Sequence, residues 1–261
     1  MVINKTYNEN CLDTMSRMKD NFIDLTVTSP PYDNLRKYNG YSFDFESIAK
    51  ELYRVTKEGG VVVWIVGDAV IKGSESLTSF KQALYFKEIG FNVHDTMIYK
   101  SEKPPLTHNR YEQKFEYMFV FSKLRPNTFN PILEPSKYAG QDKKSRTLRQ
   151  DSDQLSKRSG KGKVKDFKIK GNVWEYSTGG GKSTKDKIAF KHPAIFPEQL
   201  ANDHIISWSN ENDIVYDCFM GSGTTAKMAI LNNRNWLGSE ISEEYINIAK
   251  KRIEDNKLKL F

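Results

Sequence analysis

The stretch "DIVYDCFMGSGTTAKMAILNNRNWLGSEIS" (Asp213–Ser242) decides the fold, reading as strand, glycine turn, helix and second strand. Gly221 and Gly223 let the backbone turn sharply and approach a ligand closely, with the helix N-terminus behind them. About twenty residues past the turn, the second strand ends at Ser239-Glu240, where an acidic residue accepts hydrogen bonds from two ribose hydroxyls. Together these features point to an adenosine-type cofactor. The alternative reading is a tight turn with a surface glutamate.

Outward from this unit the same alternation recurs. "FIDLTVTS" (Phe22–Ser29) reads as a buried strand that stops at Pro30-Pro31. "FDFESIAKELYRVTKEGG" puts Phe45, Ile48, Leu52 and Val55 on one helical face, with Gly59-Gly60 expected to close the helix. "VVVWIVG" has the composition of a central strand covered on both sides. "SLTSFKQALYFKEIG" is expected to form a helix with Phe80, Leu84 and Ile89 inward, followed by strands "FNVHDTMIYK" and "KFEYMFVFSK". A helix is expected from near Pro197, and "EEYINIAKKRIEDNKLK" reads as a terminal amphipathic helix. A parallel sheet flanked by helices is the simplest architecture.

Between the two α/β parts the texture is polar and basic. From Glu134 to Lys191 there are 16 Lys and Arg against 7 acids, leaving 24 against 26 elsewhere. Such concentration is the electrostatic footprint of a nucleic-acid site, its alternative being a solvated insertion. The chain of 261 residues is expected to divide into 1–123, a basic insertion at 124–190, and 191–261. "YSTGGGKST" (Tyr176–Thr184) mimics a phosphate-binding loop. It has Tyr176 where that motif needs its first glycine, and no strand is evident before it, so it reads as a mobile loop. Cys11 and Cys218 stand far apart, and the four histidines lack zinc spacing, so no metal is expected. With no apolar signal core or long apolar run, the expected setting is cytoplasmic, without membrane association.

Three separated elements carry a resemblance. "TSPPY" (Thr28–Tyr32), "KHPAIFPEQL" (Lys191–Leu200) and "DCFMGSGTT" (Asp217–Thr225) resemble the amino-group DNA methyltransferases. Their order resembles the β permutation of that family. The resemblance implies a Rossmann-like methyltransferase fold with an inserted basic target-recognition region, S-adenosylmethionine as methyl donor, and an exocyclic base amine in double-stranded DNA as acceptor. It also implies a monomer or homodimer and a possible cognate restriction endonuclease.

The chemistry accounts for the residue types. An exocyclic amine is a poor nucleophile because its lone pair is delocalised into the ring. Acceptors beside its hydrogens draw the nitrogen towards sp³ geometry. Pro30 and Pro31 fix the backbone that aims the Pro30 carbonyl. Ser29 offers a second acceptor or a route for the leaving proton, and Tyr32 a face on which a flipped base stacks.

By the same resemblance, Asp217, Phe219, Gly221 and Gly223 form the cofactor loop, and Glu240 is the ribose acid. His192, Pro193 and Phe196 lie by the methionine end, while Thr224 or Thr225 either meets the methionine carboxylate or caps its helix. Relatives often carry Gly-Asp-Cys near the N-terminus; Asn10 and Cys11 occupy that place here. Glu116 matches a recurring acidic position. Lys143, Lys144, Arg146, Arg149, Lys157, Arg158, Lys161 and Lys163 are the expected DNA contacts. Family members with serine at the position of Ser29 usually methylate cytosine N4, and those with aspartate adenine N6. N4-cytosine is therefore expected, with N6-adenine as the alternative and an inactive nucleic-acid-binding module as a further one.

Overall fold

A computed structural model describes residues 1–31, 43–101, 110–149, 155–158, 160–179 and 181–257. Tyr32 lies outside the described residues, as do the side chains of Arg146, Arg149, Lys157 and Arg158. The chain divides into one unit of residues 1–130 and 172–261 and a second of 131–171.

The first unit opens with β1 (Lys5–Tyr7), α1 (Cys11–Ser16) and β2 (Ile23–Thr28). Helix α2 (Phe45–Val55) starts where the Asp44 carboxylate accepts a hydrogen bond from the Ser47 N–H, and it buries Ile48, Ala49, Leu52 and Val55. Strand β3 (Thr56–Val66) follows at once. Gly59 and Gly60 therefore lie in a strand and do not close the helix. The Gly59 N–H donates to Lys123 O at 2.6 Å, and the Lys123 N–H donates to Gly60 O at 3.1 Å. This pairing with the residue that follows the strand Phe115–Ser122 draws the glycines into the sheet.

A small hairpin, β4 (Val70–Ile71) and β5 (Ser74–Glu75), leads into α3 (Thr78–Glu88). The expected inward face of α3 fails at Phe80 and Leu84, which are 43% and 67% exposed, while Ser79, Gln82, Ala83 and Phe86 are buried; Ile89, just past the helix, does pack against the core. Two polar contacts set that rotation. Trp64 Nε1 donates to Gln82 Oε1 at 2.8 Å, and the Ser79 N–H donates to Asp68 Oδ1 at 2.9 Å. Strands β6 (Asn92–Ser101) and β7 (Phe115–Ser122) then pair with each other antiparallel.

The second unit holds β8 (Leu133–Pro135), β9 (Arg146–Arg149), β10 (Leu155–Arg158) and β11 (Phe167–Ile169). The chain then rejoins the large sheet as β12 (Val173–Tyr176). The strand expected to be missing before "STGGGKST" is thus present. That segment is also anchored, since Ser183 and Thr184 are buried and the Thr184 hydroxyl donates to Glu198 Oε1. A 3₁₀ turn (Lys187–Lys191) follows, then α4 (Glu198–Trp208), β13 (Ile214–Asp217), α5 (Thr224–Leu231), β14 (Asn235–Ser239) and α6 (Glu243–Lys257).

The large sheet has the order β1-β14-β13-β2-β3-β7-β6-β12. All its pairings are parallel except the two that β7 makes. The result is the expected mostly parallel sheet flanked by helices. Its core gathers Trp64, Phe86, Phe91 and Phe121 with Leu52 and Met15. Phe86 and Phe121 stack with ring centroids 4.5 Å apart.

Candidate active site

Strands β13 and β2 are hydrogen-bonded neighbours, with Val215 opposite Leu25 and Tyr216 opposite Thr26. The chain leaves β13 towards β14 and leaves β2 towards β3, on opposite sides of the pair. Such a reversal opens a crevice beyond the carboxyl ends of the strands, where ligands of open α/β sheets bind. The glycine turn follows β13 at this point, and Ser29, Pro30 and Pro31 follow β2. Two motifs 189 residues apart, measured from Thr28 to Asp217, thus meet through strand pairing.

Side chains fasten the two together. The Thr28 hydroxyl donates to Asp217 Oδ1 at 2.7 Å, and the Thr225 hydroxyl donates to Val27 O at 3.1 Å. Asp217 Oδ1 also accepts from the Phe219 N–H at 3.1 Å. Burial pushes the Asp217 carboxyl up to about 6, against the pull of the Thr28 hydroxyl and the Phe219 amide. Asp217 therefore braces the turn from beneath.

Gly221 and Gly223 both have positive φ, 49° and 80°, a conformation side chains resist. At Gly221 a Cβ would stand 2.8 Å from His192 Nε2. The "HP" segment thus reaches the turn. His192 packs edge-on to Tyr245 with centroids 4.3 Å apart, and its Nδ1 accepts from the Ala194 N–H at 3.1 Å. Phe219 is half-buried and lies edge-on to Phe43 at 5.6 Å.

Glu240 closes the other side. Its Oε2 accepts from the Gly221 N–H at 2.8 Å and its Oε1 from the Ser242 N–H at 2.9 Å. Burial raises its pKa above the ordinary carboxylate value, although the amides of Ser242 and Gly221 oppose this. Each oxygen keeps a lone pair, so the group can hold the turn and still accept a hydroxyl. Asn8 steadies the backbone here, its Nδ2 donating to Glu240 O at 2.9 Å.

Asn10 caps α1 by accepting from the Leu12 N–H, and Cys11 is buried in the core, its thiol pushed up to about 12 by burial. Thr224 and Thr225 are buried, and the Thr224 hydroxyl accepts from Arg252 at 3.2 Å. Glu116 lies on β7 opposite Tyr99. Lys143, Lys144, Lys161 and Lys163 are exposed in the second unit. Among the described residues, no His, Cys, Asp or Glu group suited to a metal ion occurs, and no helix is long and apolar enough to cross a membrane.

Sequence reasoning missed a buried ionic cluster behind the turn. Arg252, fully buried, donates from Nη1 to Ser222 O at 2.6 Å and from Nη2 to Glu198 Oε1 at 2.7 Å. Its Nε donates to Asp186 Oδ2 at 3.1 Å. Lys227 shares both carboxylates, at 2.8 Å to Asp186 and 2.7 Å to Glu198. Burial works against the Asp186 charge, but the two cations outweigh it and leave its pKa below the usual range. The one available signal was Lys227 itself, a charge inside the otherwise apolar "TTAKMAIL".

The reversal of strand order between β13 and β2, the glycine turn and the carboxylate at the next strand tip are the features of an α/β domain that binds a nucleotide-like cofactor at the carboxyl ends of its parallel strands. The chain belongs to the family of DNA methylases termed N6/N4 methyltransferases, which it matches over residues 23–251. It is 57% identical to "Orphan methyltransferase M.BamHII" of Bacillus amyloliquefaciens over 91% of this chain and 92% of that one. The solved structure of PvuII DNA methyltransferase (cytosine-N4-specific) has a TM-score of 0.69 at 20% identity, covering 98% of this chain and 92% of that one. The M1.HpyAVI–SAM complex gives 0.63 at 23% identity, covering 95% and 98%. At these identities the structural likeness is one of fold. The chain is accordingly a DNA methyltransferase. The cofactor of its family is S-adenosylmethionine, and the residues present fit it: Glu240, at the tip of the strand next to the turn, retains acceptor capacity on both carboxylate oxygens.

Proposed function

We propose that the protein methylates the exocyclic N4 amine of cytosine in double-stranded DNA. The observation that carries this reading is the Ser29-Pro30-Pro31 corner at the end of β2, next to the glycine turn after β13. S-adenosylmethionine, when bound, supplies an electrophilic methyl group. Phe219, Gly221, Gly223 and Glu240 hold its nucleoside, and His192, Pro193 and Phe196 border its methionine end. The Pro30 carbonyl accepts one amine hydrogen, and Ser29 accepts or relays the other. Tyr32 supports the flipped base by stacking. Holding the amine in line with the methyl supplies much of the acceleration without a covalent enzyme intermediate.

The assignment to cytosine rests on Ser29, a neutral residue where adenine-directed relatives usually carry an acid. Adenine N6 is the second reading, favoured by the breadth of the family itself, which is termed N6/N4. The basic residues of 143–163 neutralise phosphates, and the enzyme works in the cytoplasm as a monomer or homodimer. The M.BamHII relative is named an orphan methyltransferase, and on that ground activity is proposed to need no restriction endonuclease partner. Sequencing DNA from cells that express the protein, with detection that separates the two modified bases, tests the reading. N4-methylcytosine within one short sequence is expected; N6-methyladenine in its place overturns the base assignment, and unmodified DNA overturns the activity.

A further inference from the structure

The second unit, residues 131–171, carries 12 Lys and Arg against 5 Asp and Glu, whereas all other residues together hold 28 of each. The entire net charge of +7 therefore sits in this unit. Its backbone is a two-stranded antiparallel ribbon. Phe167 pairs with Pro135, Lys168 with Glu134 and Ile169 with Leu133. The ladder continues through Ser136 N–H to Asp166 O, Val164 N–H to Gln141 O and Lys143 N–H to Gly162 O. Further along, Arg146–Arg149 pair with Leu155–Arg158.

Directly opposed residues of an antiparallel pair share a face, and alternate residues share it too. Leu133, Pro135, Phe167 and Ile169 thus form one face, and Glu134 and Lys168 the other. The second face is satisfied internally, with Lys168 Nζ 2.7 Å from Glu134 Oε1. The first is not: Leu133, Phe167 and Ile169 are 56%, 57% and 57% exposed. An exposed apolar strip within a strongly cationic unit calls for a partner that is polyanionic outside and apolar within reach. A second copy of the unit is disfavoured, because it would bring +7 against +7.

We propose that this apolar face reads base edges in the major groove of DNA, contacting thymine methyl groups, while the surrounding lysines hold phosphates. A two-stranded β-ribbon is an element the major groove admits, and the thymine methyl is the apolar mark displayed there. The division follows the chemistry: phosphate contacts position the protein, and base-edge contacts carry sequence information. The inference rests on DNA being the substrate, and it goes further by naming the side chains that set sequence preference.

The test uses the full chain, with the duplex sequence found methylated in cells and its single-base variants. Phe167→Ser/Ile169→Ser is expected to lower kcat/KM on that sequence by roughly tenfold or more and to narrow the gap to the variant duplexes. Its salt dependence and S-adenosylmethionine affinity stay unchanged. Leu133→Ser, on the partner strand, reproduces the loss, and Glu134→Gln, on the opposite face, leaves the sequence preference intact. Replacing thymine by uracil in the duplex lowers the wild-type rate but has no added effect on the double variant. Unaltered sequence preference in both serine variants overturns the proposal. So does an equal loss in Glu134→Gln, which would mean a general role in ribbon structure. A wild-type enzyme that methylates no duplex instead overturns the DNA reading beneath it.

Discussion

At the scale of single residues, Glu240 ties the glycine turn to the tip of β14, and it is proposed to meet the cofactor as well. Burial raises its pKa, so in the folded protein it keeps its proton to a higher pH than in the unfolded chain. Its own contribution to folding stability consequently falls as pH rises through the folded value. Cofactor affinity runs the other way. Only the carboxylate offers acceptors on both oxygens while also holding the N–H groups of Gly221 and Ser242. Binding then favours the charged form, and affinity must drop on acidification, beginning above the ordinary carboxylate range. Glu240→Gln is expected to weaken cofactor binding by roughly tenfold, as loss of charge-assisted bonds does, and to flatten that pH profile. Calorimetric titration with S-adenosylmethionine from neutral to mildly acidic pH measures both; a glutamine variant with wild-type affinity would exclude the ribose role.

At the scale of elements, the glycine turn is held from behind by α6. Arg252 bonds to Ser222 and Thr224 at the start of α5 and to Asp186 and Glu198 at the approach to α4. Removing one partner of a buried charge group costs about 3–5 kcal/mol, because the remaining charges are left uncompensated. Arg252→Met should therefore lower the thermal midpoint markedly. Arg252→Lys keeps the charge but loses the planar fork that reaches both the turn and the carboxylates. It is expected to fold and yet bind the cofactor roughly tenfold more weakly, a loss on the scale of one charged hydrogen bond. Thermal melting with and without S-adenosylmethionine separates the two effects. A lysine variant with undiminished cofactor-induced stabilisation would limit Arg252 to holding the fold.

This cluster also marks the boundary of what the sequence discloses. The glycine turn, the Ser29-Pro30-Pro31 corner and the alternation of strands and helices are local patterns, and local chemistry suffices to read them. Arg252, Lys227, Asp186 and Glu198 come from four separate segments, and only the fold unites them. The α3 face departs from its apolar pattern for a related reason. Phe80 and Leu84 are the more apolar residues, but the helix is rotated by the bonds of Gln82 to Trp64 and of Ser79 to Asp68. Gly59 and Gly60 gave a helix-stop pattern, whereas pairing with Lys123 made them part of a strand.

At the scale of the whole molecule, charge and catalysis are segregated. Residues 1–130 and 172–261 form the unit that holds the crevice and are electrically balanced, while residues 131–171 carry all the net positive charge. Neutralising a phosphate releases a condensed counterion, so each engaged lysine adds about 0.9 to the slope of log affinity against log salt. DNA affinity should therefore fall steeply as salt rises. Lys161 and Lys163 are exposed and outside the apolar face, which makes them suitable probes of this term. Lys161→Gln/Lys163→Gln is expected to reduce the slope by roughly 1.8 if both engage phosphates, and to weaken cognate and unrelated duplexes alike. Cofactor binding, proposed for the balanced unit, should not change. Fluorescence anisotropy on a duplex over a range of potassium chloride concentrations gives the slope directly. An unchanged slope would remove these two lysines from the phosphate contacts, whereas a slope change confined to the cognate duplex would assign them to base readout.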